Sequence, residues 1–403
     1  MNIILAAGII LIVLSIVFIK KWPPYWGFLI VFLIMGFQDN VEGDYVNYKD
    51  EYEQIAVNHI ADSRTMEDEP VMPVIESFVS YLGPFWLFVL LMSLFQAYVL
   101  TEFVKRYCPK PYQFLAAILF FFTFNMMLLQ MKAMRQGLAI EMMMAAFMLA
   151  DRKKHQWISL VVAVMAYYTH NSSLLVLPFF LVFFYISVEA DVKRFLRKLG
   201  IIKGKVKESS VPKVRKEGNV WSKLLRHPLT MPALMVTVYL VMYYFKITVL
   251  NQYMIPLMIL TGGNNRLAGY ADTTNIAESL DANLFEISPL IVLYDAVIVF
   301  LVSAYYKSAG PRMRVFCAMS IAAAFGDMLF FGAGTFARMI MYYVVFNLAV
   351  YPAVALRIKR KFGKKWALVF AVFLLGYAVK TSLPWITGME PDRFGNYQFI
   401  FMP

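Results

Sequence analysis

Residues 82–103 read LGPFWLFVLLMSLFQAYVLTEF and decide the fold class, because a single charged side chain, Glu102, interrupts the apolar run. A helix of about 20 such residues crosses the roughly 30 Å hydrocarbon core of a bilayer. Eleven further apolar runs follow the same pattern: 2–19, 24–38, 112–129, 134–150, 156–169, 173–188, 229–249, 285–305, 315–333, 336–356 and 366–382. The sequence therefore predicts an all-α fold, a polytopic integral membrane helix bundle with about twelve transmembrane segments.

The composition supports this prediction and excludes several classes of protein. Of the 403 residues, 60% are hydrophobic and 16% are charged. Soluble domains have about half apolar and a quarter charged residues. A soluble enzyme, a secreted disulfide scaffold and a disordered tail protein are therefore excluded. We predict one polytopic domain, residues 1–403.

The distribution of Lys and Arg predicts the orientation in the membrane. With the N- and C-termini outside, 29 of the 38 basic residues fall in inner loops, including the long basic loop 189–228. Positive charge is retained on the cytoplasmic side of membrane proteins. The net charge of +12 thus reflects topology and contact with anionic lipid, and we expect no nucleic-acid partner.

Two long outer loops, 39–81 and 250–284, combine acidic, amide and aromatic side chains. Carboxylates and amides can bind sugar hydroxyls, and flat rings can stack on sugar faces. We expect Tyr45 in the first loop, and Arg266 and Tyr270 in the second, to contact substrate. Outer loops of many transporters have a similar composition, so the pattern alone does not identify a sugar site.

Basic side chains also occur at the outer ends of two predicted spans. Lys132 and Arg135 share one helical face, Gln136 follows, and Arg338 lies in the first turn of the run 336–356. Because an Arg there opposes the helix dipole, an anionic partner is favoured. The alternative is that these side chains extend to lipid headgroups.

Other polar residues lie at or near membrane depth, where a central charge costs roughly 2.5–3.5 kcal/mol. His170 ends the run 156–169, Glu141 can pair with Arg135 or Lys132, and Asp295 and Asp327 can pair with other spans or form a proton path. Phosphate-binding loops, dinucleotide fingerprints, clustered His/Cys metal sets and nucleophile elbows are absent from the sequence. We therefore expect no cofactor and no metal.

Several stretches resemble the EpsG family of Wzy-type exopolysaccharide and O-antigen polymerases. The most specific are Met134-Arg-Gln-Gly-Leu-Ala139 and Tyr168-Thr-His-Asn-Ser-Ser173 with Pro178. Gly43-Asp44-Tyr45 through Tyr48, Glu67 and Glu69, and Arg338 with Tyr342-Tyr343 add looser similarity. Gln38 stands where the family often has an Arg before the Gly-Asp pair.

The resemblance implies a function at the outer face of the bacterial inner membrane. Such polymerases move a glycan from undecaprenyl diphosphate to a sugar hydroxyl of a second lipid-linked repeat unit, in exopolysaccharide, O-antigen or capsule biosynthesis. No nucleotide sugar is required, because the phosphoester link of the donor supplies the energy. The resemblance is compatible with a GT-C-like glycosyltransferase architecture and with a chain-length regulator and a flippase as partners.

We hypothesise an inverting, metal-independent glycosyl transfer. Arg135 and Arg338 are the expected ligands of the leaving diphosphate, because guanidinium groups match phosphate oxygens two at a time. A general base for the acceptor hydroxyl can be Asp44, Glu69 or His170, with Asp44 preferred for its place in the outer-loop signature. His170 can instead hold the diphosphate or a sugar.

Functions from other classes stay open. A polysaccharide flippase or another transporter would use intramembrane charges along a translocation path, but the sequence lacks the related halves typical of transporters. A membrane acyltransferase that modifies surface glycans would need a catalytic His towards the inner side. A transferase of the lipid A ligase type shares the chemistry and differs only in its acceptor.

Overall fold

The computed structural model describes most of the chain and divides it into two units. The described residues are 3–18, 25–39, 44–58, 69–123, 126–198, 227–245, 288–329, 338–387 and 398–399. The first unit comprises residues 1–208 and 345–403, and the second comprises residues 209–344. The organisation of residues 1–403 as one domain stays a prediction.

The described chain is almost entirely helical. In the first unit the helices are α1 (Ile3–Phe18), α2 (Tyr25–Gly36), α3 (Asp44–Asn58), α4 (Val71–Ser80), α5 (Phe85–Tyr107), α6 (Gln113–Phe122), α7 (Met127–Lys132), α8 (Met134–Ala150), α9 (Gln156–Thr169), α10 (Leu177–Lys198), α15 (Asn347–Phe362) and α16 (Lys364–Thr387). The second unit contains α11 (Thr230–Phe245), α12 (Pro289–Tyr306), α13 (Pro311–Leu329) and α14 (Met341–Val344). Two residues, Gln38–Asp39 (β1), pair antiparallel with Gln398–Phe399 (β2). The predicted all-α class is confirmed.

Each of the twelve predicted apolar runs contains a helix, but fewer helices reach the length of a membrane span. Among the described residues, α5 and α12 are long and apolar enough to cross a bilayer, and the pair 338–344 and 347–362 makes a third if it is one bent span. Most other apolar helices have 10–17 residues. The run 112–129, for example, is divided into α6 and α7. The count of twelve segments is therefore not confirmed.

Helix α8 forms the centre of the first unit. Its side chains are buried on every face except at Arg135, Ala145 and Leu149, which are half-buried. A helix that is apolar all round is stable only when it is surrounded by other elements. Phe147 meets the rings of Phe180, Phe183 and Phe346 at centroid distances of 4.9–5.4 Å. The start of α8, with the Met134–Ala139 motif, is thereby held in a fixed position.

The predicted outer loop 39–81 contains two helices, α3 and α4, which the sequence analysis did not anticipate. Tyr45, Tyr52 and Ile55 share one face of α3 and are buried. Tyr52 donates a hydrogen bond to the Gly83 carbonyl at 2.6 Å, and its ring lies 5.5 Å from that of Phe85. These contacts fix α3 beside the start of α5.

The second unit packs α11, α12 and α13 around a small apolar core. The core residues are Met235, Tyr239, Val292, Val299, Ala324 and Met328. The carboxylates of Asp295 on α12 and Asp327 on α13 interact electrostatically. The two intramembrane acids predicted from the sequence thus face each other across two helices.

Candidate functional site

The candidate site lies where α3, α4, the start of α8 and the end of α9 meet in the first unit. Each element contributes one charged or titratable side chain, and Glu69 precedes α4. The members are Glu51, Glu69, Glu76, Arg135 and His170. We call this set the carboxylate cluster. It brings together three of the predicted site residues, Glu69, Arg135 and His170.

His170 and Glu69 form a dyad. Helix α9 ends at Thr169 because His170 takes up an extended backbone, and a 3₁₀ turn begins at Asn171. The Nδ1 atom of His170 lies 2.7 Å from Oε1 of Glu69. The Asn171 N–H donates to the same oxygen at 3.1 Å. Two donors on one carboxylate oxygen hold Glu69 in place.

The dyad leaves the second imidazole nitrogen available for chemistry. With the Nδ1 proton donated to Glu69, Nε2 is the acceptor nitrogen. Its neighbour is the Ser172 hydroxyl at 3.5 Å. The His170 side chain is 29% exposed and that of Glu69 is 7% exposed. A substrate can therefore reach the histidine but not the carboxylate that orients it.

Arg135 connects the other carboxylates. Its Nη2 donates to Oε2 of Glu51, and its Nη1 lies 3.9 Å from Oε2 of Glu69. Its guanidinium carbon is 5.3 Å from the centre of the Tyr48 ring. The anionic partners of Arg135 are thus Glu51 and Glu69, and not Glu141, as the sequence allowed. Glu141 lies instead beside Gln96 and Gln130.

The surroundings of Glu69 and Glu76 shift the pKa values of the two carboxyl groups in opposite directions. Burial raises the pKa of Glu69, but the hydrogen bonds and charges of His170, Asn171 and Arg135 outweigh burial and hold that pKa below the usual value. Burial also raises the pKa of Glu76, and the Glu51 carboxylate raises it further. Glu69 therefore favours the ionised form and Glu76 the neutral form.

Tyr45 and Asp44, two predicted site residues of the first outer loop, are not members of the carboxylate cluster. Tyr45 is 1% exposed, donates a hydrogen bond to the Gln38 carbonyl at 3.1 Å, and packs on Phe85 at 5.3 Å. Its ring serves packing and is not open for stacking on a sugar. Asp44 begins α3 and is half-exposed. It lies two helical turns, about 10 Å, before Glu51 on the same helix.

The remaining predicted residues are scattered. Lys132 ends α7 and is half-buried, whereas Gln136 follows Arg135 on α8 and is buried. Arg338 belongs to the second unit, where it is half-buried at the start of the 3₁₀ turn 338–340. Arg266, Tyr270 and Glu67 lie outside the described residues.

Sequence reasoning missed Glu51 and Glu76. The helical spacing of Tyr45, Tyr52 and Ile55 was the available signal, because it places Glu51 beside the buried face of α3. Within the described ranges, no three His, Cys, Asp or Glu side chains are arranged to hold a metal ion. The carboxylates and the imidazole of the cluster can transfer protons and bind polar groups.

Comparison with known proteins gives one match. The model of the EpsG family matches residues 21–204, a little under half of the chain. No curated protein and no solved structure matches. The matched segment includes Glu51, Glu69, Glu76, Arg135 and His170, and therefore the whole carboxylate cluster. Residues 21–204 are thus similar to the EpsG family, the family whose resemblance the Arg-Gln and His-Asn motifs indicated.

Proposed function

We propose that the chain is a multi-pass polysaccharide polymerase of the bacterial inner membrane. It transfers a glycan from undecaprenyl diphosphate to a sugar hydroxyl of another lipid-linked repeat unit at the outer face. The family match supports a membrane protein related to polysaccharide polymerases. The proposed topology has twelve segments, with both termini and the carboxylate cluster outside.

The observation that carries this proposal is the Glu69–His170 dyad with an accessible imidazole. In the proposed reaction, Nε2 of His170 accepts the proton of the acceptor hydroxyl. The acceptor oxygen forms the new bond to the anomeric carbon as the bond to the diphosphate breaks, and the diphosphate leaves with the electron pair. Glu69 stabilises the imidazolium that results. An inverting transfer needs only this one displacement and no metal.

The leaving diphosphate needs cations beyond the cluster. Arg135 already holds Glu51 and Glu69, so we assign it chiefly to organising these carboxylates. Arg338 and Lys132 are the cations that we propose for the diphosphate, with Arg266, Gln136 and Tyr270 as further substrate contacts. Asp44 is the alternative base, because it lies on the helix that carries Glu51.

The test compares His170→Ala and Glu69→Gln in a strain that lacks the native gene. We expect His170→Ala to lower polymerisation about 10²–10⁴-fold, the usual contribution of a general base, and single repeat units to accumulate on the surface. Gel ladders of surface glycan measure chain length. The control is His155→Ala, which replaces an exposed histidine outside the cluster.

Full-length ladders from His170→Ala at normal expression would refute the role of His170 as base. The same ladders separate the proposal from a flippase, because loss of a flippase leaves no repeat units on the surface. Reconstitution of the purified protein with lipid-linked repeat units then distinguishes a polymerase from an acyltransferase. A polymerase gives a ladder of products without any acyl donor.

A further inference from the structure

Glu76 is a buried acid that the proposed reaction does not use. It lies on the inward face of α4 and is 0% exposed. Neither carboxylate oxygen has a hydrogen-bond partner among the described residues. A buried, ionised carboxylate without partners is strongly unfavourable, so such a group normally acquires a proton or a partner.

The charged neighbours of Glu76 are Glu51 and Arg135. Oε1 of Glu51 and Nε of Arg135 are also buried and lack a hydrogen-bond partner in the described part of the chain. Both groups interact electrostatically with Glu76. A proton on Glu76 would remove the negative charge that Glu76 otherwise places near the Glu51 carboxylate.

The other elements packed on α4 bring no compensating charge. On α3, Tyr52 faces Glu76, but its hydroxyl already donates to Gly83. Up to Thr101, α5 has no charged residue, and α9 has none at all; their tyrosines are Tyr98, Tyr167 and Tyr168. Arg135 and Glu51 are therefore the charged groups that decide the state of Glu76.

We propose that Glu76 is a positioning residue that stays protonated beside Glu51 and so keeps the Arg135 guanidinium shared between Glu51 and Glu69. With Glu76 neutral, the Arg135 guanidinium is shared by two carboxylates, Glu51 and Glu69. An ionised Glu76 would draw Arg135 away from Glu69, where the contact is the looser one at 3.9 Å. Glu69 would then lose part of the support that orients His170.

The protonation state is tested by infrared difference spectroscopy on the purified full-length protein. We expect a carbonyl stretch of a protonated carboxyl group at neutral pH that shifts in D₂O, disappears in Glu76→Gln, and fades in wild type as the pH rises. The matched control is Glu53→Gln, on the exposed face of α3, which should leave the band unchanged. A second variant, Glu51→Gln, removes the neighbouring negative charge, so the band should fade at a lower pH than in wild type. A wild-type spectrum without a band sensitive to Glu76→Gln overturns the proposal.

The role in positioning rests on the proposed function and needs a second readout. Glu76→Gln, which mimics the neutral acid, should polymerise like wild type at neutral pH, and the alkaline limb of its pH profile should move to higher pH. Glu76→Ala should lose activity, because it removes the neutral carboxyl group beside Glu51 and Arg135. Loss of activity in a folded Glu76→Gln protein at all pH values contradicts the positioning role. The spectroscopic result does not depend on the reaction, so failure of the proposed function and failure of this inference are distinguishable.

Discussion

Arg135 makes two ion pairs and one ring contact within a site that is largely closed to water. Its side chain is 12% exposed, and Glu51 and Glu69 are 22% and 7% exposed. The removal of one partner from a buried ion pair leaves an uncompensated charge, which costs more than the pair itself contributes. The role of this residue in stability is therefore separable from any role in substrate binding.

Arg135→Ala should destabilise the fold by about 3–5 kcal/mol, the usual cost of breaking a buried pair. Thermal unfolding in detergent measures the effect. The matched control is Arg106→Ala, which breaks the more exposed pair with Asp151 at 2.7 Å and should cost about 0–1 kcal/mol. The double variant Glu51→Gln, Arg135→Gln should recover part of the loss. Equal melting temperatures for Arg135→Ala and Arg106→Ala would contradict the closed ion-pair site.

Glu69 gives the cluster a defined pH dependence. Burial opposes ionisation of Glu69, but His170, Asn171 and Arg135 lower its pKa overall from the usual 4.5. A lowered folded pKa means that ionised Glu69 stabilises the fold above the unfolded pKa, and that this contribution is lost as the pH falls through the folded value. The difference in melting temperature between wild type and Glu69→Gln should thus be largest near neutral pH and should narrow below about pH 4.5. If the difference in melting temperature stayed constant over this pH range, ionised Glu69 would not stabilise the fold.

The residues of the site were only partly predictable from the sequence. Arg135, Glu69 and His170 stand in motifs that resemble a family, so each could be named without a structure. Glu51 and Glu76 stand in no such motif, and the segment 39–81 was interpreted as a loop. Their role depends on the packing of α3 and α4 against α5, α7 and α9, which hydropathy over long windows does not detect.

At the scale of elements, the apolar runs predicted where helices lie but not how long they are. The length of a run depends on hydropathy alone, whereas the length of a helix depends on where it ends locally, as α6 does at Phe122. Hydropathy also does not predict the close contact between α5 and α8. A Cβ atom at Gly137 would lie 2.9 Å from Nε2 of Gln96 and 3.3 Å from Cβ of Gln130. The glycine of the Met134–Ala139 motif thus leaves room for the side chains of Gln96 and Gln130.

Gly137→Ala should destabilise the protein by roughly 1–3 kcal/mol, the usual cost of an overpacked interior. The control is Gly376→Ala in α16, where no atom lies within 4 Å of the added Cβ. Because alanine is the better helix former, that change should be neutral or stabilising by about 0.5–1 kcal/mol. Melting temperatures of the two purified variants give the comparison. A neutral Gly137→Ala would show that Gln96 moves aside at little cost.

At the scale of the whole molecule, the proposed function requires the carboxylate cluster and the basic loop 189–228 to lie on opposite sides of the membrane. The distribution of Lys and Arg predicts this orientation, and labelling can test it directly. Cys108 and Cys317 are free and buried, at 5% and 0% exposure, so they should label slowly in the folded protein. Labelling of the two natural cysteines should therefore be small compared with that of a single introduced, exposed cysteine.

Asn47→Cys, on the exposed face of α3, and Lys153→Cys, in the exposed turn after α8, form a matched pair. An impermeant maleimide should label Asn47→Cys in cells whose outer barrier has been removed, and Lys153→Cys only after the inner membrane is permeabilised. The reverse pattern would place the carboxylate cluster on the cytoplasmic side. In that case His170 could not meet a substrate at the outer face, and an acyltransferase supplied from the cytoplasm would fit the dyad better than a polymerase.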